Sequence, residues 1–212
     1  MIRLVLADDH TIVREGLKQI LAAAGDFEVV GEAADGHEAL ARVRSLDFDV
    51  LVLDMSMPGK SGIELIKQVH AEKPRLRMLV LSMHEEKQYA VRAIRAGAAG
   101  YVTKESASKQ LVEAIRKIAG GGAFISAEVA QDLALGAMPG AQGAPHESLS
   151  DREYQIFLMI ARGKSVSDIA STLNLSVKTV STHKANILGK MQLETSGELI
   201  RYALANGLVE GG

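Results

Sequence analysis

The chain has 212 residues, 47% of them apolar and none of them cysteine, and its formal charge is −2. That is apolar material enough for one large core or two small ones, and it excludes disulfides and thiolate-bound zinc. The near-zero charge argues against a protein that holds polyanions by overall positive charge, and no run approaches the roughly 20 apolar residues that span a bilayer. The opening Met1-Ile2-Arg3-Leu4-Val5-Leu6-Ala7 is interrupted by Asp8-Asp9, too short and too soon acidic for a signal peptide, so a cytoplasmic protein is expected.

In chain order, Arg3 to Ala7 reads as a strand with Asp8-Asp9-His10 as its exit loop. Thr11 is the expected N-cap of a helix to about Ala24, with Ile12, Leu17, Ile20 and Leu21 as its apolar stripe. Glu28 to Glu32 is a second strand, and Gly36 begins a helix to about Ser45. The run Phe48 to Leu53 is short, branched and apolar, as a strand buried on both faces must be, and it ends at Asp54 before Pro58-Gly59 turn the chain. A helix is expected from Ser61 to Ala71, a fourth strand from Met78 to Leu81 ending at Ser82, and a more polar helix from Glu85 to Ala96, stopped by Gly97. Ala99 to Thr103 is the fifth strand, ending at Lys104, and Ser108 to Ala119 the next helix.

Strands alternating with helices over residues 1–125 describe an α/β fold, a five-stranded doubly wound parallel sheet. Residues 126–147 include a short helical stretch, Ala127 to Leu135, then a run rich in glycine, alanine and proline that predicts a flexible linker. Residues 148–212 are helical throughout: 151 to 162, Ser165 to Leu173, Val177 to Met191 and Ser196 to Ala205. The charge is local here, since 162 to 190 carry Arg162, Lys164, Lys178, Lys184 and Lys190 against Asp168 alone. Two helices joined by about three residues, the second of them basic, make a helix-turn-helix.

Asp8, Asp9, Asp54, Ser82 and Lys104 all fall at the carboxyl ends of strands, on one rim of the sheet. Three carboxylates brought together repel, and a hard divalent cation such as Mg²⁺, held by carboxylates, a backbone carbonyl and waters, is the remedy. Lys104 can neutralise a bound anion and Ser82 offers a hydroxyl. The set suits phosphoryl groups, with Asp54 as nucleophile. Taken singly, each residue has an ordinary role as a solvated acid, a surface cation or a cap; their joint placement carries the argument.

With these residues, the first 120 or so positions resemble the receiver domain of bacterial two-component response regulators. The resemblance implies Asp8-Asp9 as the metal-binding pair, Asp54 as phospho-acceptor, Ser82 as switch hydroxyl and Lys104 as the phosphate-contacting lysine. It further implies that Ser56 gives its backbone carbonyl to the metal and that Tyr101 is the switch aromatic. A haloacid-dehalogenase-like phosphatase would have Asp two positions after Asp54, where this chain has Ser56. A turnover enzyme is therefore not expected.

From Leu149 to Val209 the chain resembles the helix-turn-helix domain of the NarL/FixJ (LuxR-type) regulators: Ser150-x-x-Glu153 opens the first helix, Ser165-Val166-Ser167-Asp168-Ile169-Ala170 the supporting helix, and Ser176-Val177-Lys178-Thr179-Val180-Ser181-Thr182-His183 the recognition helix. Ser181, Thr182 and Ala185 then occupy base-facing positions, and Lys178, Thr179, Asn186 and Lys190 backbone-facing ones, with Lys184 also on the outer face. Relatives often carry Lys or Arg where Ser181 stands, so the groove face is small and neutral. Gly197, early in the last helix, costs about 1 kcal/mol against a good helix former.

The resemblance implies a sensor histidine kinase as phosphoryl donor, specific duplex DNA as target, a homodimer when phosphorylated, and RNA polymerase as a further candidate partner. The rival reading is a phosphorylation-independent interaction switch with a weak DNA-binding domain, against which the intact Asp8, Asp9, Asp54, Ser82 and Lys104 speak.

Overall fold

The computed structural model describes residues 1–57, 62–83, 87–136 and 144–209. The expected Pro58-Gly59 turn, the Ser61 and Glu85 helix starts, His84 and most of the glycine-rich run lie outside the described residues. The chain falls into two compact units, Met1–Pro139 and Gly140–Gly212.

The first unit runs β1 (Ile2–Ala7), α1 (Thr11–Ala24), β2 (Phe27–Ala33), α2 (Gly36–Ser45), β3 (Val50–Asp54), α3 (Gly62–Glu72), β4 (Arg77–Ser82), α4 (Lys87–Arg95), β5 (Gly100–Thr103), α5 (Lys104–Ala119) and α6 (Ala127–Gly136). The strands pair in the order β2-β1-β3-β4-β5, all parallel. Alternation along a strand sends Leu4, Leu6, Val50, Val52, Leu79 and Leu81 to one face, where they meet Leu17 and Leu21 of α1 and Leu111, Ala114, Ile115 and Ile118 of α5. Val5, Leu51, Leu53, Met78 and Val80 point the other way and are equally buried, the reason β3 has no polar position before Asp54.

Local chemistry moves several expected boundaries. His10, not Thr11, occupies the N-cap of α1 and makes no side-chain cap bond; its carbonyl accepts from the Val13 and Arg14 N–H groups. Ile12, expected in the apolar stripe, is 88% exposed. Helix α5 starts at Lys104, four residues before the expected Ser108, because the Thr103 hydroxyl accepts from the Ser106 N–H and caps the helix there. Gly97 ends the α4 segment with φ of 115°, and a Cβ there would lie 2.5 Å from the His70 ring, so the turn takes glycine only.

The first half of the expected linker is folded onto the first unit. Phe124 bridges to Gly100 in parallel, donating its N–H to the Ala99 carbonyl and accepting from the Tyr101 N–H, both at 3.0 Å. Ser126 then caps α6, whose Val129 is buried with Ala90 and Val91 of α4 against Tyr101, Ile125 and Leu133. One buried valine and one strand-edge residue anchor a segment whose small side chains alone suggested none.

The second unit is a 3₁₀ turn (Pro145–Ser148) followed by α7 (Asp151–Ala161), α8 (Val166–Leu173), α9 (Val177–Met191) and α10 (Ser196–Ala205). Reciprocal capping boxes open three of these helices: Ser150 with Glu153, Ser165 with Asp168, and Thr195 with Glu198. Asn174 turns α8 into α9 in the left-handed region, φ 51°. Tyr154, Ile156, Phe157, Ile169, Val180, Ile187 and Leu199 are fully buried and form the core, with Phe157 between the rings of Tyr154 and Tyr202.

Candidate functional site

Strand register brings the rim together. Ala7 pairs with Leu53, so the next residues, Asp8 and Asp54, leave neighbouring strands at the same level. Asp54 pairs with Leu81, and the next residue, Ser82, pairs with Thr103, after which Lys104 opens α5. Side chains 46 and 96 positions after Asp8 thus meet it at one sheet end.

Lys104 Nζ donates to Asp8 Oδ2 at 2.7 Å and lies 2.9 Å from Asp54 Oδ2. The second approach is an ion pair, so one ammonium is shared between two buried carboxylates. The other Asp54 oxygen accepts from the Ser56 N–H at 3.1 Å. Asp8 Oδ1 accepts from the His10 N–H at 2.8 Å, and His10 Nδ1 lies 2.9 Å from Asp9 Oδ1. Asp8 and Asp54 are buried, while Asp9 and His10 face solvent. One candidate ligand atom from each of these four residues lies within 4.8 Å of the others.

Burial pushes the Asp54 carboxyl above its usual range; Lys104 and the Ser56 N–H pull it back, and Asp8 adds to the rise. For Lys104, burial works against the ammonium, but Asp8 and Asp54 outweigh it and hold the pKa above the ordinary lysine value. With one cation shared between two buried carboxylates and an exposed third beside them, negative charge remains in excess. The four ligand atoms lie close enough together to share a second cation. The group can hold a divalent metal ion.

Ser82 is fully buried at the next rung of the rim. Tyr101 is half-buried, facing α6 rather than the carboxylates, and lines a cavity of about 560 Å³ with Ala90, Ser106, Gln110 and Val129. Ser56 is exposed. Sequence reasoning did not single out His10 as a neighbour of the acids, nor Arg14 and Glu32, which stand behind them; the last two meet only through the fold.

In the second unit, Lys178, Thr179, Ser181, Thr182, Ala185 and Asn186 are all exposed on α9, and Lys184 is half-buried. The Ser181 and Thr182 hydroxyls donate to the Val177 and Lys178 carbonyls one turn back, at 2.9 and 3.0 Å. Their protons are thus spent inside the helix, and lone pairs face outward. Thr179 is engaged with the capping Ser176 hydroxyl at 2.8 Å. Lys190 is exposed, and its Nζ is also 2.6 Å from Glu153, a 4%-exposed carboxylate that the Ser150 N–H reaches at 2.8 Å. Burial would raise the Glu153 pKa, but Lys190 and Ser150 outweigh it and hold the carboxyl below its usual range.

A parallel sheet that gathers an aspartate, an acidic pair and a lysine at one rim, joined to a capped helix-turn-helix, defines a phosphorylation-controlled regulator with a DNA-binding domain rather than a turnover enzyme. Residues 4–116 match the response regulator receiver domain, and residues 147–203 match the luxR family of bacterial regulatory proteins. The chain is 37% identical over 209 residues to the response regulator UvrY of Escherichia coli, covering 98% of this chain and 96% of that protein. It is 38% identical over 211 residues to the response regulator GacA of Pseudomonas aeruginosa, covering 99% of both. The structure of RcsB from Salmonella enterica serovar Typhimurium bound to promoter rprA in the presence of phosphomimetic BeF3− matches with a TM-score of 0.57 at 29% identity, over 97% of this chain and 100% of that one. The chain belongs to the two-component response regulators that carry a luxR-family helix-turn-helix domain. Among its described residues, no helix is long and apolar enough to cross a membrane.

Proposed function

We propose that Asp54 is the phosphoryl acceptor and that a sensor histidine kinase is the donor. The observation that supports it is Asp54, fully buried at a strand end with its Oδ2 2.9 Å from the Lys104 ammonium. This carboxylate oxygen attacks phosphorus as the bond to the kinase imidazole nitrogen breaks; with the other ring nitrogen of the phosphohistidine protonated, the ring leaves as a neutral histidine and Asp54 becomes an acyl phosphate. Lys104 turns from Asp54 to the phosphoryl oxygens, and Asp8 keeps it in place. Asp8, Asp9, Asp54 and the Ser56 carbonyl would hold Mg²⁺, an oxygen set suited to a hard ion, and that ion supplies neutralising charge to the transferring group. Ser82 and Tyr101 are the switch pair, Ser82 one rung from the acceptor and Tyr101 against α6.

The phosphorylated protein acts in the cytoplasm as a homodimer on specific duplex DNA, with RNA polymerase a candidate partner there. The receiver covers residues 1–125 and the DNA-binding domain 148–212, with α6 in the intervening 126–147 held on the receiver. Ser181, Thr182 and Ala185 face base edges, and Lys178, Thr179, Lys184 and Asn186 face phosphates. Lys190 can join them only with the flank left free by Glu153. A small phosphodonor with Mg²⁺ is expected to add one phosphoryl group per chain by intact mass, and Asp54→Ala to accept none. Equal labelling of that variant would sink the assignment.

A further inference from the structure

Behind the acidic pair lies a clamp built from side chains with no role assigned above. The Asp8 peptide is fixed on both sides: its N–H donates to the Ala33 carbonyl at 3.1 Å, and its carbonyl accepts from the Arg14 guanidinium. The same guanidinium donates through Nε to Glu32 Oε2 at 3.0 Å, and Lys18 Nζ donates to the other Glu32 oxygen at 2.8 Å. Glu32 sits beside Leu6 in the β1–β2 register, and Arg14 sits in the first turn of α1. The Arg14 side chain is only 13% exposed. One planar fork therefore links the end of β2, the start of α1 and the loop that carries both acids.

We propose that Arg14, braced by Glu32, is a positioning residue of the phosphotransfer site: by tying down the Asp8 carbonyl it sets the direction in which Asp8 and Asp9 present their carboxylates to a divalent cation. This rests on the Mg²⁺ reading given above. Asp8 and Asp9 share a three-residue loop with His10, so a rotated Asp8 peptide turns both carboxylates and withdraws Asp8 from Lys104. Arg14 touches neither the phosphoryl group nor the metal.

Two effects of Arg14 on a cation oppose each other, which makes the inference separable. Its positive charge repels Mg²⁺, so a residue acting through charge alone would, when neutralised, tighten binding. Its hydrogen bond orients the ligands, so a residue acting through position would, when replaced, weaken binding. Lysine keeps the charge but cannot donate to a carbonyl and a carboxylate at once with a planar fork.

The test is the Mg²⁺ dissociation constant of the full chain, measured by calorimetry without phosphodonor, alongside the labelling rate as a function of Mg²⁺. Arg14→Met and Arg14→Lys are each expected to weaken Mg²⁺ binding by about tenfold, as loss of an outer-shell partner does. Glu32→Gln, which loosens the brace, should weaken it in the same direction by less. Labelling in all three should recover to near the unaltered protein's rate once Mg²⁺ saturates. Unchanged or tighter Mg²⁺ binding in the Arg14 variants would overturn the inference, as would a reduced maximal rate at an unchanged Mg²⁺ requirement. If Arg14→Met fails to fold by circular dichroism, Arg14→Lys and Glu32→Gln decide. An unaltered protein that binds no Mg²⁺ overturns the metal reading as well, whereas normal Mg²⁺ binding with insensitive variants overturns the Arg14 inference alone.

Discussion

At the sheet rim the polar side chains are buried, crowded and mutually dependent: Lys104 serves Asp8 and Asp54 together, and neither acid can change without the other feeling it. On α9 the Ser181 and Thr182 side chains are exposed, and their hydrogen bonds close one turn back within the helix. Charge in the first region acts at low dielectric, where a missing partner is costly; charge in the second acts in water and salt. A substitution at the rim should therefore switch the chemistry off, while one on α9 should retune it.

The largest expected effect is at Lys104. Lys104→Ala should slow phosphodonor labelling by about 100-fold, the scale of losing one preorganised charge donor, measured as initial rate at saturating Mg²⁺. A rate within twofold of the unaltered protein would place phosphate recognition elsewhere.

Titration separates the regions next, because their buried acids shift in opposite directions. The Asp54 pKa is raised by burial, so its ionised form opposes folding; that penalty grows as pH rises from the ordinary carboxylate value through the folded one. Asp54→Asn should therefore raise the receiver's melting midpoint at neutral pH without Mg²⁺, by a margin that shrinks as pH falls. Glu153 is held low by Lys190 and Ser150, so its contribution is present above the unfolded carboxylate value and is lost as pH falls through the folded one. Glu153→Gln should destabilise the second unit at pH 7, by a margin that shrinks as pH falls below the ordinary carboxylate value. Thermal melts of both variants across that range check the signs.

The smallest effect is the most specific. Ser181→Ala should reorder preference among duplexes by about 1 kcal/mol at the contacted base pair, whereas Lys184→Ala should weaken all duplexes alike and lower the salt slope by about one. Selection of bound duplexes at two salt concentrations distinguishes them; the reverse pattern would rotate the groove face.

Legibility followed the range of the interactions. The β3 run ending at Asp54 was readable because burial on both faces leaves no polar position, and the boxes at Ser150, Ser165 and Thr195 because partner and cap lie three residues apart. Arg14 and Glu32 meet across 18 residues through a strand and a helix, and nothing local marks them. The pairing of Lys190 with Glu153 spans 37 residues and is likewise unmarked in the sequence. Residues 126–136 were composed like part of a tether, and their hold on the first unit comes from Val129 and from backbone bonds at the preceding Phe124, which composition does not register.

That Phe124 bridge also bears on the edge of the sheet at β5. A parallel sheet ends in a strand with one row of unspent N–H and C=O groups, a template on which another molecule's strand can add. Here Phe124 spends the Ala99 carbonyl and the Tyr101 N–H, and its own carbonyl lies 3.2 Å from where a Gly100 Cβ would be, too close for most side chains to keep the pairing. The start of the β5 edge is thus occupied by the chain's own backbone, and a bulky residue at position 100 is expected to loosen that cover without touching the phosphorylation site.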